Sequence, residues 1–250
     1  MTRGYVMVAV GACLFGINGL VVRRMIDAGL PARYITAARL AAIVTLLLVI
    51  ALIRHRDQLR LARGEILEYA LFGLFALAVL QWLYLEAIGR MNVGLAVVIQ
   101  YTAPFLIAVW LRTVRHQPQG GIVWVGLGVA LVGLVLVLGV GGSDFHGVTR
   151  AGLAFAVASS LFFAYYALHA SRLLARRPAP AVLAIGGSFA IVIWNVTAAP
   201  IWAWPTAPLY HPIALGGALH WSISGWLLLT LSVVFGGAGR RASSLLACSA

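Results

Sequence analysis

The residues of this chain that could bind or move a solute gather around a proline. In the stretch QWLYLEAIGRMNVGLAVVIQYTAPFLIAVWLR, from Gln81 to Arg112, two apolar runs are joined by Gly89-Arg90-Met91-Asn92. The second run has Pro104 in its middle. Proline has no N–H, so the carbonyl four residues back, that of Gln100, loses its helical partner. A helix kink is therefore predicted at Pro104. One point on the helix then offers a carbonyl, the Gln100 amide, the Tyr101 phenol and the Thr102 hydroxyl. In a bilayer such groups must face protein or a wet cavity.

The other polar groups inside apolar runs fall at similar depth, at 1.5 Å per helical residue. Arg39 lies about 12 Å inside the run that starts after Pro31. Gln81 and Gln100 lie about 10 Å deep, and Asn18 about 6 Å. A buried arginine costs about 2.5–3.5 kcal/mol on insertion scales. Two readings stand for Arg39: it holds the anionic group of a solute, or it staples neighbouring carbonyls. On the first reading Gln100, Tyr101, Gln81 and Asn18 supply hydrogen bonds. Glu86 precedes Arg90 by four residues, a spacing that favours an ion pair at the membrane surface. The alternative is a proton-coupling carboxylate, since Glu86 is the only acid well inside a run apart from the boundary residue Glu68. Tyr165, Tyr166 and His169 either line a path or anchor an interface.

The elements that must position these groups follow from composition. The chain is 62% hydrophobic and 10% charged, with a mean hydropathy of +0.99. A soluble domain is about 45–50% apolar and about 25% charged. This is the composition of an all-α integral membrane protein. The net charge of +12 comes from 18 basic residues, every one an arginine. They sit between apolar runs and form no single basic face, which argues against nucleic acid. Two cysteines, Cys13 and Cys248, suggest neither a disulfide framework nor a metal site. The histidines lack zinc spacing. No serine-histidine-acid set, phosphate loop or heme pattern is present, so neither an enzyme nor a cofactor is expected.

About 20 apolar residues span a bilayer. Eight spans are predicted: 4–22, 31–53, 66–88, 93–112, 120–142, 150–171, 179–204 and 221–238. The first is read as a retained span and not a cleaved signal peptide. With the N-terminus inside, twelve arginines fall on the cytoplasmic side: Arg3, Arg54, Arg56, Arg60, Arg63, Arg112, Arg115, Arg172, Arg176, Arg177, Arg240 and Arg241. Five, Arg23, Arg24, Arg33, Arg90 and Arg150, fall outside. This bias places both termini in the cytoplasm.

A shift of 147 residues lays 8–32 on 155–179. Ala9, Val10, Leu14, Phe15, Pro31 and Ala32 match Ala156, Val157, Leu161, Phe162, Pro178 and Ala179. The second copy is displaced by five spans, an odd number, so the copies insert in opposite directions, as in many transporters. On the fifth span Gly126, Ala130 and Gly133 form one small-residue face that permits close helix contact.

Five pieces, in this order, carry a family likeness: GACLFGINGLVVRRMIDAGLPA, ITAARLAA, AIGRMNVGLAVVIQYTAPFLIAVWLR, WVGLGVALVGLVLVLGV and GVTRAGLAFAVASSLFFAYYALHASR. Over roughly residues 4–236 the chain resembles the EamA branch of the drug/metabolite transporter superfamily. The resemblance implies ten helices in two inverted five-helix repeats. It implies transport of small solutes such as amino acids, drugs or metabolites, usually outward and often proton-coupled. It also implies a homodimer face on the fifth helix, against which intramolecular packing is the alternative.

The expected organisation is a first repeat over 1–142, a second, inverted repeat over 148–238 with three spans, and a polar tail over 239–250. The second repeat thus lacks counterparts of the fourth and fifth spans. A frameshift or premature stop is one account of that ending. A natural eight-span form completed by dimerisation is the other. The expected activity is secondary export of a small solute across the bacterial plasma membrane. The alternatives are a truncated non-transporting protein, or a channel-like or structural membrane subunit.

Overall fold

The computed structural model of the chain describes residues 18–117, 120–137, 149–200, 203–204, 212–214, 222–228 and 230. The first helix, α1, is described over 18–27. It runs beyond the predicted end at residue 22. Arg23 pairs with Asp27 one turn on, at 3.1 Å. Gly29 then closes the helix at φ 89°, with Leu30 N–H donating to the Met25 carbonyl and Gly29 N–H to that of Ile26. A left-handed residue is needed there, which glycine supplies without a Cβ clash.

Six further helices follow: α2 (Ala32–Arg54), α3 (Arg63–Arg90), α4 (Val93–Thr113), α5 (Gly121–Val137), α6 (Arg150–Leu174) and α7 (Ala179–Thr197). α2, α3, α4, α6 and α7 are long and apolar enough to cross a membrane. The protein is an all-α integral membrane protein. The one sheet among the described residues is a ribbon of three pairs, β1 (Pro212–Ala214) against β2 (Ser222–Ser224).

The helix starts are written locally. Asn92 accepts from Gly94 N–H at 2.8 Å to cap α4, and Thr149 from Gly152 N–H at 3.0 Å to cap α6. Pro31 and Pro178 hold the same extended backbone, φ −63° and ψ 140° or 147°, and each opens a helix at the next residue. Each proline of the Pro31–Pro178 match thus directly precedes a helix.

α2 and α7 pack together and run antiparallel. Trp194, at the end of α7, donates its indole N–H to the Arg33 carbonyl at the start of α2, at 3.1 Å. Gly187, earlier on α7, lies against Val44, later on α2. α3 is the central element, in contact with α6 on one side and α7 on another. Its middle, Phe72–Val79, is a π-helix. There Gly73 meets the Gly186 backbone so closely that a Cβ at Gly73 would lie 1.9 Å from the Gly186 carbonyl oxygen. α5 packs on α4, at its start and through Trp124, whose ring stands edge-on to that of Phe105 at 5.6 Å.

Several boundaries differ from expectation. α3 begins at Arg63, through a 3₁₀ turn over Arg63–Glu65. α7 stops at Thr197 and not at 204. The Trp194 carbonyl takes both the Ala198 and Ala199 amides, and Pro200 cannot prolong the helix. Where a span was predicted to open at 221, Ser222–Ser224 is a strand, and helix covers 225–228. Most of the predicted 4–22 and 221–238 spans, the end of the fifth, the tail over 239–250, Cys13 and Cys248 lie outside the described residues.

Candidate functional site

α2, α3 and α4 carry most of the predicted polar groups: Arg39, Gln81, Gln100 and Tyr101. Arg39 is seven residues into α2, about 10 Å along it. Only 6% of it is exposed. Tyr84 stands on α3, six residues before Arg90 and so about 9 Å from that end. The Arg39 charge and the Tyr101 phenol of α4 both act electrostatically on the Tyr84 hydroxyl. Arg39 and Tyr84 are therefore buried within electrostatic reach of each other, and the half-exposed Tyr101 lies within reach of Tyr84. Sequence reading picked Arg39 and Tyr101 but missed Tyr84. The available signal was its position three residues after Gln81, on the same helix face.

Gln81 is 8% exposed, and its amide nitrogen has no hydrogen-bond partner among the described residues. It borders a small cavity otherwise walled by aliphatic side chains, among them Leu40 and Val44 of α2, Leu77 of α3 and Leu183 of α7. Leu40 follows Arg39 directly, so the cavity adjoins the arginine's helix turn. Thr36, one turn before Arg39, is fully buried, and its hydroxyl also has no partner among the described residues. Asn18 is buried on α1, Gln100 is half-buried, and Tyr101 is 50% exposed.

The kink forms two residues before the proline. α4 is α-helical over Val93–Gln100 and again over Ala103–Thr113, with Tyr101 and Thr102 in a turn between. The residue before proline is crowded by the ring, which shifts the distortion upstream. Thr102 N–H turns to the Ile99 carbonyl at 3.1 Å, and its hydroxyl bonds the same oxygen at 2.6 Å. That hydroxyl also lies 2.9 Å from the Ser160 hydroxyl of α6. The break in α4 is thus tied to the second half of the chain, a link that no sequence pattern announced.

Glu86 is engaged on both oxygens. Trp82 donates its indole N–H to one at 2.9 Å, and Arg90 pairs with the other. The Arg90 guanidinium sits 4.7 Å over the Phe155 ring of α6. The Glu86–Arg90 ion pair expected from the spacing is present. Tyr165 and His169 lie ring against ring, 4.2 Å between centroids, and Tyr166 stacks on Phe72. On α5, nothing stands within 4 Å of a Cβ added at Gly126 or Gly133, and Ala130 is exposed. Of the two readings of that face, the described residues give no support to intramolecular packing.

Arginines of the described residues make contacts at two ends of the bundle. Arg177 and Arg176, after α6, reach Glu65 and Glu68 beside Arg54–Arg63. At the opposite end Arg23 donates to the Ile88 and Met91 carbonyls, and Thr149 to that of Arg90.

A family model described as "EamA-like transporter family" matches residues 2–139. The chain is similar to the "Uncharacterized inner membrane transporter YicL" of Salmonella typhimurium, 23% identical over 231 residues, 91% of this chain and 71% of that protein. It is similar also to the "Threonine/homoserine exporter RhtA" of Escherichia coli, 30% identical over 195 residues, 76% of this chain. The match spans 62% of that exporter's length. A solved crystal structure shares the fold at a TM-score of 0.52 and 18% identity, covering 98% of this chain and 88% of the other.

Proposed function

The chain belongs to the EamA-like transporter family, and from that premise we propose that it is a secondary transporter exporting a small metabolite, amino acid or drug-like solute. Arg39 is the observation that carries the reading. An arginine inside an apolar bundle is costly, and such residues mark solute and ion paths. In the proposed site Arg39 holds the solute's anionic group. Tyr84 and Tyr101 orient that group, and Gln81, Gln100 and Asn18 supply further hydrogen bonds. The break before Pro104 gives the α4 wall a place to bend while α6 moves against it through Thr102 and Ser160.

Glu86 is the proposed proton-coupling group. Protonation would weaken its hold on Arg90 and free a cation that lies against α6. The arginine-rich end faces the cytoplasm, with both termini inside, in a bacterial plasma membrane. The Gly126-Ala130-Gly133 face is the proposed contact of a homodimer. The two repeats, 1–142 and 148–238, are the proposed moving bodies, rocking about the antiparallel α2–α7 contact. RhtA bears the name of an amino-acid exporter, which favours amino acids among the candidate solutes.

The test is a solute-export screen in a strain hypersensitive to amino acids and their analogues. Expression of the chain should raise tolerance to one chemical group of solutes. Tolerance unchanged across the panel, with the protein present in the membrane, would contradict it.

A further inference from the structure

We propose that the segment between α2 and α3 is a binding site for an anionic phospholipid, with Arg54, Arg56, Arg60 and Arg63 around its phosphate. All four arginines are exposed. Among the described residues none of them forms an ion pair or donates a hydrogen bond. Their neighbours at the same end behave differently, since Arg176 and Arg177 are matched to Glu68 and Glu65. In RHRDQLRLAR, residues 54–63, Asp57 is the lone acid.

The segment is a fixed platform. It holds a 3₁₀ turn over Arg56–Leu59 and a second over Arg63–Glu65. Ala62 N–H donates to the Glu65 carboxylate at 3.2 Å. Leu59 and Leu61 pack on the helical core. Arg177 donates to the Gln58 carbonyl at 3.3 Å. The guanidinium groups are thereby held outward at the end of the bundle. A guanidinium fork matches phosphate oxygens in pairs.

The apolar surroundings select a lipid over a free phosphate. On α2 the side chains leading to Arg54 are exposed, Leu52 by 49% and Ile53 by 76%. On α3 the side chains just after Arg63 are exposed as well, with Leu67 at 67%. Acyl chains lying on these two helix sides bring a headgroup to the four arginines. A soluble anion would use the arginines and leave both sides uncovered.

The test is electron spin resonance of the full chain in phosphatidylcholine vesicles carrying spin-labelled phosphatidylglycerol or phosphatidylcholine. Several-fold more labelled phosphatidylglycerol than phosphatidylcholine should be motionally restricted, and raising the salt should shrink that excess. Replacing all four residues with glutamine (R54Q, R56Q, R60Q and R63Q) should abolish the excess. Replacing Arg24, Arg33, Arg112 and Arg115 with glutamine should leave most of it. Equal restriction of both lipids by the unaltered chain would overturn the proposal and leave the arginines a topological role alone. Equal loss in both variants would overturn it in favour of diffuse charge. Displacement by inorganic phosphate beyond that by chloride of equal ionic strength would overturn the lipid in favour of a free anion.

Discussion

The Arg177 guanidinium meets the Glu65 carboxylate at 2.5 Å, joining the turn after α6 to the start of α3 across 112 residues of sequence. Arg176 and Glu68 repeat the pairing at 3.0 Å. The exposed Arg176–Glu68 pair is worth about 1 kcal/mol or less. Together with the Tyr69 ring, 5.4 Å under Arg177, these contacts close the arginine-rich end between the two halves of the chain. If that end opens during transport, the contacts must break. A Glu65→Cys, Arg177→Cys pair, made with Cys13 and Cys248 replaced by serine, should be bridged by a short bifunctional methanethiosulfonate reagent, and the bridge should stop transport. Reduction should restore it. Full transport by the cross-linked protein would show that this end stays shut throughout the cycle.

The α3–α7 and α2–α7 contacts make a second, sharper prediction. A methyl group at Gly73 would strike the Gly186 backbone, whereas one at Gly187 would lie 2.3 Å from Cγ2 of the Val44 side chain. Overpacking costs about 1–3 kcal/mol. Gly187→Ala should lower the thermal midpoint in detergent, and adding Val44→Ala should recover most of the loss. Gly73→Ala should lower it at least as much with no recovery from Val44→Ala. Equal rescue of both would mean that the two helices are not packed at this spacing.

The Thr102–Ser160 hydroxyl pair should couple the break in α4 to α6. Thr102→Val and Ser160→Ala should be non-additive by about 0.6 kcal/mol, a typical value for such bonds in membrane bundles. A double-mutant cycle on unfolding free energy reads this directly. Strict additivity would remove the link.

Much of this arrangement was legible in the sequence, for a physical reason. Hydropathy and punctuation are local, so 31–53 anticipated Ala32–Arg54, and Pro104 announced a broken α4. The Glu86–Arg90 pair is set by helical spacing alone. What escaped depends on which helix meets which. Gly73 sits in FGLFALAV, where nothing distinguishes it from filler until α7 lies against it. Tyr84 and Ser160 gain meaning only beside Arg39 and Thr102. The end of α7 at Thr197 was missed because the apolar run continues past the point where Pro200 stops the helix.

Glu86→Gln separates coupling from simple structure. The amide keeps a hydrogen-bond acceptor for Trp82 but cannot exchange a proton in the working range. Solute efflux by this variant should lose its response to an imposed pH gradient and keep downhill exchange. A response equal to that of the unaltered chain would leave Glu86 as an interfacial pair only.

The central claim is that the solute passes Arg39. Its most direct measurement is gradient-driven flux of the solute identified by the export screen, in proteoliposomes holding either the unaltered chain or Arg39→Leu. Arg39 interacts with neighbouring groups, so the two proteins are compared at matched amounts of folded, membrane-inserted chain. Saturable flux is expected from the unaltered chain and a loss of at least about tenfold from the variant, the equivalent of about 1.4 kcal/mol of lost solute interaction. Normal saturable flux from Arg39→Leu would contradict it and make the arginine a structural staple.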